Sequence, residues 1–179
     1  MAHNEMEMTQ RSPVLDREKY LNALVYFVAN CGNERLGIMK LNKLFYYLDF
    51  ISYRDRNKSV TGETYIHLPK GPFAAILQDD ILGSARKAKL IEQKKDASDK
   101  YGERNRFQAL KAPDMSVFDD YEQKLLNYLC FTFKDWSTDQ MVAQTHSEAP
   151  WVFSKPSQQL NYKDADDIEF FSPRREVVA

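Results

Sequence analysis

The stretch from Lys40 to Tyr53, KLNKLFYYLDFISY, constrains this chain more than any other part of it. Ile38, Leu41, Leu44, Phe45, Leu48 and Ile51 recur at spacings of three and four, which predicts a helix from about Gly37 to Arg54. Tyrosine and phenylalanine occupy much of the remaining circumference. A helix apolar on most sides belongs in the middle of a core. Its polar residues are therefore the ones to explain. Lys40, Lys43 and Tyr47 share a stripe that Arg54 extends, and Asp49 lies near Tyr46 and Tyr53. They serve either as an internal hydrogen-bonding network or as an exposed interface, and the sequence leaves both open.

Such a core needs enough chain around it. With 179 residues and 43% apolar side chains the protein suits one domain. A chain of that size buries roughly 70% of its unfolded surface and needs no disulfide or metal. Cys31 and Cys130, far apart and each within an apolar periodic segment, read as unpaired, buried small hydrophobes. The N-terminus lacks the apolar region of a signal peptide, and no run approaches the roughly 18 apolar residues that span a bilayer. These features predict a soluble, cytoplasmic protein of a reducing compartment. The net charge of −1 excludes a globally basic polyanion binder.

Other elements follow from local signals. Residues 1–15 form a loose lead-in. Asp16 is placed to cap a first helix whose inner face carries Tyr20, Leu21, Leu24, Val25, Phe27, Val28 and Cys31, with Gly32 ending it in a left-handed conformation. The short link to the next helix predicts an antiparallel hairpin of helices. Ser59 to Gly62 reads as a turn and Glu63 to Leu68 as a short strand. Pro72 then suits the first turn of a third helix over about 73–88, with Phe73, Ile76, Leu77, Ile81 and Ala85 inward. Segments 89–95 and 105–111 read as a hairpin around a long charged loop, Asp96 to Arg104. Ser116 with Asp119, and Ser137 with Gln140, read as capping boxes of two further helices, the second ended by Ala149-Pro150-Trp151. A last short helix fits the acidic segment Lys163 to Glu169. The fold expected is mainly α (α+β): a single-domain bundle of five to six helices over residues 16–171 with a small β element, and a tail at 172–179.

Chemical motifs are few. His3, His67 and His146 lack metal-ligand spacing, so no metal or cofactor is expected. His146-Ser147-Glu148 mimics the H-x-E of zinc deaminases, but no P-C-x-x-C follows it. Phosphate-binding glycine loops and a G-x-S-x-G elbow are lacking too. A hydrolase would require Asp49, His67 and His146 to converge as an acid–base group. Residues 86–106 carry eight basic side chains against four acidic ones, an excess suited to a nucleic acid or an acidic protein surface.

Three pieces in order, Lys40-Leu41-Asn42-Lys43-Leu44-Phe45-Tyr46-Tyr47-Leu48-Asp49-Phe50, Val60-Thr61-Gly62-Glu63-Thr64-Tyr65 and Leu68-Pro69-Lys70-Gly71-Pro72, resemble the signature of the SocA-like antitoxin domain, also called Panacea. The region Ser137 to Ser147, followed by Trp151, resembles the family's closing segment. Phe45 stands where the family commonly has Leu, and Lys70 where an aromatic is frequent. The resemblance implies a mostly helical, non-catalytic domain that neutralises a protein toxin of a bacterial or phage toxin–antitoxin pair by direct binding. The namesake member instead delivers its toxin to a protease as an adaptor. Some relatives add a DNA-binding domain, for which the lead-in here leaves no room. The contact positions it implies are Lys40, Lys43, Tyr47, Asp49, His67, Gly71, Pro72, His146 and Trp151, several of which are also suited to holding the domain together.

Overall fold

The computed structural model describes residues 13–172, apart from residue 33 and residues 99–101. The expectations for residues 1–12 and 173–179 lie outside it. Six α-helices and two antiparallel hairpins are described, in the mainly α arrangement that the periodicity predicts. Helix α1 (Arg17–Cys31) is capped by the Asp16 carboxylate, which accepts from Lys19 N, and α2 (Ile38–Arg56) follows. Helices α4 (Asp120–Phe133) and α5 (Thr138–His146) each open on a capping box, and α6 (Ala149–Val152) is a single turn.

Every residue of α2 from Lys40 to Ser52 is buried. The apolar ones make the centre of the core. Tyr47 stacks on Phe133 of α4 with centroids 4.9 Å apart, and Phe50 stacks on Tyr162 at 4.3 Å. The acidic C-terminal segment packs down onto α2 as a 3-10 helix (Tyr162–Asp167), and the Arg54 guanidinium donates to the carbonyls of Ile168, Phe170 and Phe171.

Strand β1 (Tyr65–Leu68) pairs with β2 (Gly71–Ala74) in the register Tyr65–Ala74, Ile66–Phe73, His67–Pro72 and Leu68–Gly71. Pro72 therefore does not open a helix. It sits on a strand, and the third helix starts later, as a π-helical turn (Leu77–Ile81) that runs into α3 (Leu82–Lys87). Proline is tolerated there because His67 turns its own N–H and C=O outward, to Gln158 O and from Ser157 N at 2.8 and 2.9 Å. The pair asks no N–H of Pro72.

Four further expectations are corrected. Gly32 ends α1 with φ −71, not left-handed; glycine fits because a Cβ would lie 2.0 Å from Val28 O. Strands β3 (Ile91–Ser98) and β4 (Gly102–Ala109) stay paired through Asp96–Arg104 and Ser98–Gly102, so the expected nine-residue loop is mostly strand. The capping box of α4 is Asp119 with Glu122, three residues beyond the one expected, because the Ser116 hydroxyl is spent on Asp114 at 2.6 Å. Pro150 begins α6 instead of ending α5, in a first turn whose N–H groups are unpaired anyway.

The cysteines are also corrected. Cys31 at the end of α1 and Cys130 in α4 are buried as expected, yet they face each other with Cα atoms 5.5 Å apart and are joined as a disulfide. Both lie on the inward stripe of adjacent helices, a pairing that spacing along the chain does not reveal. With the thiols paired, cysteine content no longer points to a reducing compartment. No helix among the described residues is long and apolar enough to cross a membrane.

Candidate functional site

The polar side chains of α2 act as backbone partners for the elements around them. The Lys40 ammonium donates to Lys134 O at 2.9 Å and Trp136 O at 2.8 Å, closing the C-terminal end of α4, where a cation is favoured. Asn42 accepts from Ala74 N at 2.7 Å, and Lys43 donates to Pro72 O at 3.0 Å. Those two backbone groups form the outer edge of β2, so Asn42 and Lys43 stand where a third strand would be. On the other side, the bridge Ile66–Gln159 and the bond from Leu160 N to Tyr65 O cover β1. Neither edge of this hairpin is open to a partner strand.

Asp49, fully buried, accepts from Val60 N, Thr61 N, Thr61 Oγ1 and Tyr65 OH at 2.6–2.9 Å. Burial pushes its carboxyl up to about 6 in spite of those donors. Burial likewise lowers Lys40 and Lys43 to about 8. Tyr46 and Tyr47 both donate to Glu148, at 3.2 Å each, and burial raises that carboxyl to about 7. Glu63 is a third buried acceptor, receiving Tyr20 OH at 2.6 Å and the N–H of Thr64 and Ile76. No sequence motif marks Glu148 or Glu63 as an acceptor. The only local signal was a surplus of inward tyrosines, whose hydroxyls need partners when buried.

Gly71 has φ +95, and a Cβ there would meet Thr145 Oγ1 at 2.6 Å and Lys43 Cε at 3.0 Å. Lys40, Lys43, Tyr47, Asp49, Gly71 and Pro72 are thus all buried, and their polar groups are committed inside the fold.

His67, His146 and Trp151 come together elsewhere. Both imidazoles stack on the Trp151 indole, with centroids at 4.2 and 4.0 Å and planes within 20° and 23°. The indole N–H donates to Leu68 O, tying α6 to the end of β1. Ser154 Oγ donates to Trp151 O, so the His67 Nδ1 contact with that hydroxyl at 2.8 Å has the ring as donor. His146 Nε2 is buried without a partner, and burial together with the nearby Lys43 charge lowers this ring's pKa and favours its neutral form. Neither histidine is among the partners of Asp49, so the acid–base group that a hydrolase would need is not assembled. Among the described residues no three His, Cys, Asp or Glu side chains cluster as metal ligands would.

The stack borders the surface. The turn residues Pro69 and Lys70 are exposed, as are Val152 and Phe153 at the end of α6 and Lys155 beyond it. The site is a rigid aromatic support under a small apolar and cationic rim. His146, Trp151, Pro69 and Lys70 belong to the segments that the resemblance singled out, and His67 is among its implied contact positions, whereas Val152, Phe153 and Lys155 lie beyond them.

The family model described as antitoxin SocA-like, Panacea domain, matches residues 41–152, from the central helix to the end of α6. No curated protein and no solved structure matches the chain.

Proposed function

The chain belongs to the SocA-like antitoxin family with the Panacea domain, and from that premise we propose that it neutralises a cognate protein toxin by forming a direct complex with it. The observation that carries this reading is the match over residues 41–152, which includes the hydrogen-bonded frame from α2 to α6 except for the first turn of α2 with Lys40. The protein acts in this reading by binding, without cofactor or metal. The commitment of the Asp49 carboxylate to Val60, Thr61 and Tyr65 favours that over hydrolysis. Lys40, Lys43, Tyr47, Asp49, Gly71 and Pro72 set the frame, while His67, His146 and Trp151 shape the contact region. Occlusion of the toxin is the simplest mode; delivery to a protease would use the same contact.

Co-expression with the neighbouring reading frame tests it. A neighbour that is lethal alone and harmless beside this chain supports the proposal; a neighbour that stays toxic despite co-expression counts against it.

A second reading uses the basic stretch 86–106. One observation favours it: the β3–β4 ladder sets Lys94 directly opposite Arg106, so two cations of the stretch share one face, Lys94 also pairing with Glu92 at 3.6 Å. Duplex-DNA binding with a steep salt dependence would support this reading, and no binding at low salt would remove it.

A further inference from the structure

His146 is the last residue of α5, and the surroundings of its ring decide how it responds to a proton. The imidazole lies on the Trp151 indole with centroids 4.0 Å apart, and His67 lies on the same indole at 4.2 Å. The indole N–H in turn holds Leu68 O, so this one tryptophan ties α6 to the end of β1. His146 has a backbone partner in Pro69 of the β1–β2 turn, while its Nε2 is buried and makes no hydrogen bond. The corner of α5, α6 and the hairpin thus closes on a ring whose second nitrogen, once protonated, has no acceptor.

The charges that act on the ring favour its neutral form. Lys43 of α2, buried and donating to Pro72 O, sets a cation beside it, and His67 of β1 also opposes a charge there. No carboxylate acts on it. Glu148, at the start of α6, is turned to Tyr46, Tyr47 and Gln144, and Asp167 of the 3-10 helix accepts from Ala149 N. Asp166 beside it is exposed and Asp164 half-buried, and Lys70 is exposed in the turn. An imidazolium would be favoured by the Pro69 carbonyl, the indole face and the end of α5. Burial, and then Lys43, outweigh them and hold the ring below its ordinary 6.5.

The buried frame has the opposite sign. Burial raises the carboxyls of Glu148, Asp49 and Glu63, so the folded frame holds protons more tightly than the unfolded chain and gains stability as the pH falls. The closed corner holds its His146 proton less tightly than an open one. Its closure is fully supported above pH 6.5 and weakens as the pH falls from there toward the ring's own lower value. Acid therefore loosens the corner while it firms the frame behind it.

We propose that His146 is an acid-released latch on the corner between α5, α6 and the β1–β2 turn: protonation drives its ring off Trp151 and parts α6 from β1 while the buried frame stays folded. The latch is independent of the antitoxin reading; on that reading, it makes toxin contact at these side chains weaken in acid.

Solution NMR of the full chain from about pH 8 to 5, the range in which histidine titrates, tests it. The imidazole Cε1–H signal of His146 reads protonation, and hydrogen exchange of the Trp151 indole N–H reads opening. Below pH 6.5 the protection of that N–H is expected to fall by up to about tenfold per pH unit, while the amides of α2 keep theirs. His146→Gln, which takes up no proton, is expected to abolish the fall, and Glu148→Gln to leave it in place. Protection of the indole N–H that stays constant in wild type overturns the latch. So does a fall that persists in His146→Gln, one that is lost in Glu148→Gln, or one that the α2 amides share. Should His146→Gln not fold, the wild-type ring decides: a titration midpoint below 6.5 supports the latch, and one at or above 6.5 overturns it.

Discussion

Replacing Glu148 by Gln isolates the electrostatic consequence of the buried frame. The Glu148 carboxyl accepts two phenolic hydrogen bonds, from Tyr46 and Tyr47, and burial raises it from 4.5 to about 7. The folded protein thus holds this proton more tightly than the unfolded chain does. Its contribution to stability is fully present below about pH 4.5 and is lost as the pH rises through about 7. At about 1.4 kcal/mol per tenfold difference in proton affinity, the interval amounts to about 3 kcal/mol. Glutamine has nearly the same shape, keeps one acceptor oxygen for one tyrosine and turns its amide to the oxygen of the other. It carries no charge to desolvate. Urea unfolding, followed by tryptophan fluorescence between pH 4.5 and 8, reads the effect. Wild type should lose stability across that range. The variant should lose about 3 kcal/mol less, because Asp49 and Glu63, also raised, are present in both proteins and cancel in the difference. Parallel curves for the two proteins, or a wild type that gains stability toward pH 8, would show that the Glu148 charge is not buried as described.

Other perturbations test other parts of the frame. Asn42→Ala leaves the buried Ala74 N–H without its acceptor and should cost about 2 kcal/mol in urea unfolding; an effect below a few tenths would contradict the edge-capping role. Gly71→Ala forces a Cβ to within 2.6 Å of Thr145 Oγ1 at a positive φ and should cost about 2–3 kcal/mol, part of which Thr145→Ala restores. Reduction of the Cys31–Cys130 bond, which spans 99 residues of sequence, removes a constraint worth about 4–5 kcal/mol in the chain-entropy account and should lower the melting temperature. An identical melting temperature with and without a phosphine reductant would place those cysteines outside the stability of the fold.

What the sequence made legible follows a physical line. Period and caps are local, so α1, α2 and α5 are readable: Asp16 caps the first and Ser137 with Gln140 the third, each from within one turn. Pro72 misleads because its fixed φ suits a helix start and a strand alike. The choice was made by residues 157–160, far along the chain, which draw the polar groups of His67 outward. The capping box moved to Asp119 because a neighbouring Asp114 competes for the Ser116 hydroxyl. The polar stripe of α2 was visible but not its meaning. Whether Lys40 and Lys43 face solvent or close a helix end and a strand edge depends on Trp136 and Pro72, and only tertiary structure brings those there. The histidine pair was singled out, whereas its placement on Trp151 required α6 to fold back on β1. The disulfide stayed hidden for the same reason, since helical period gives a face but not its neighbour.

The most direct measurement is size-exclusion chromatography of the chain co-expressed with the product of the neighbouring frame, followed by titration calorimetry of the separated partners. The account predicts one co-eluting complex of fixed stoichiometry and saturable binding between the separated partners. Rescue of growth by wild type while the two proteins elute separately and show no heat of binding would contradict neutralisation by direct complex formation.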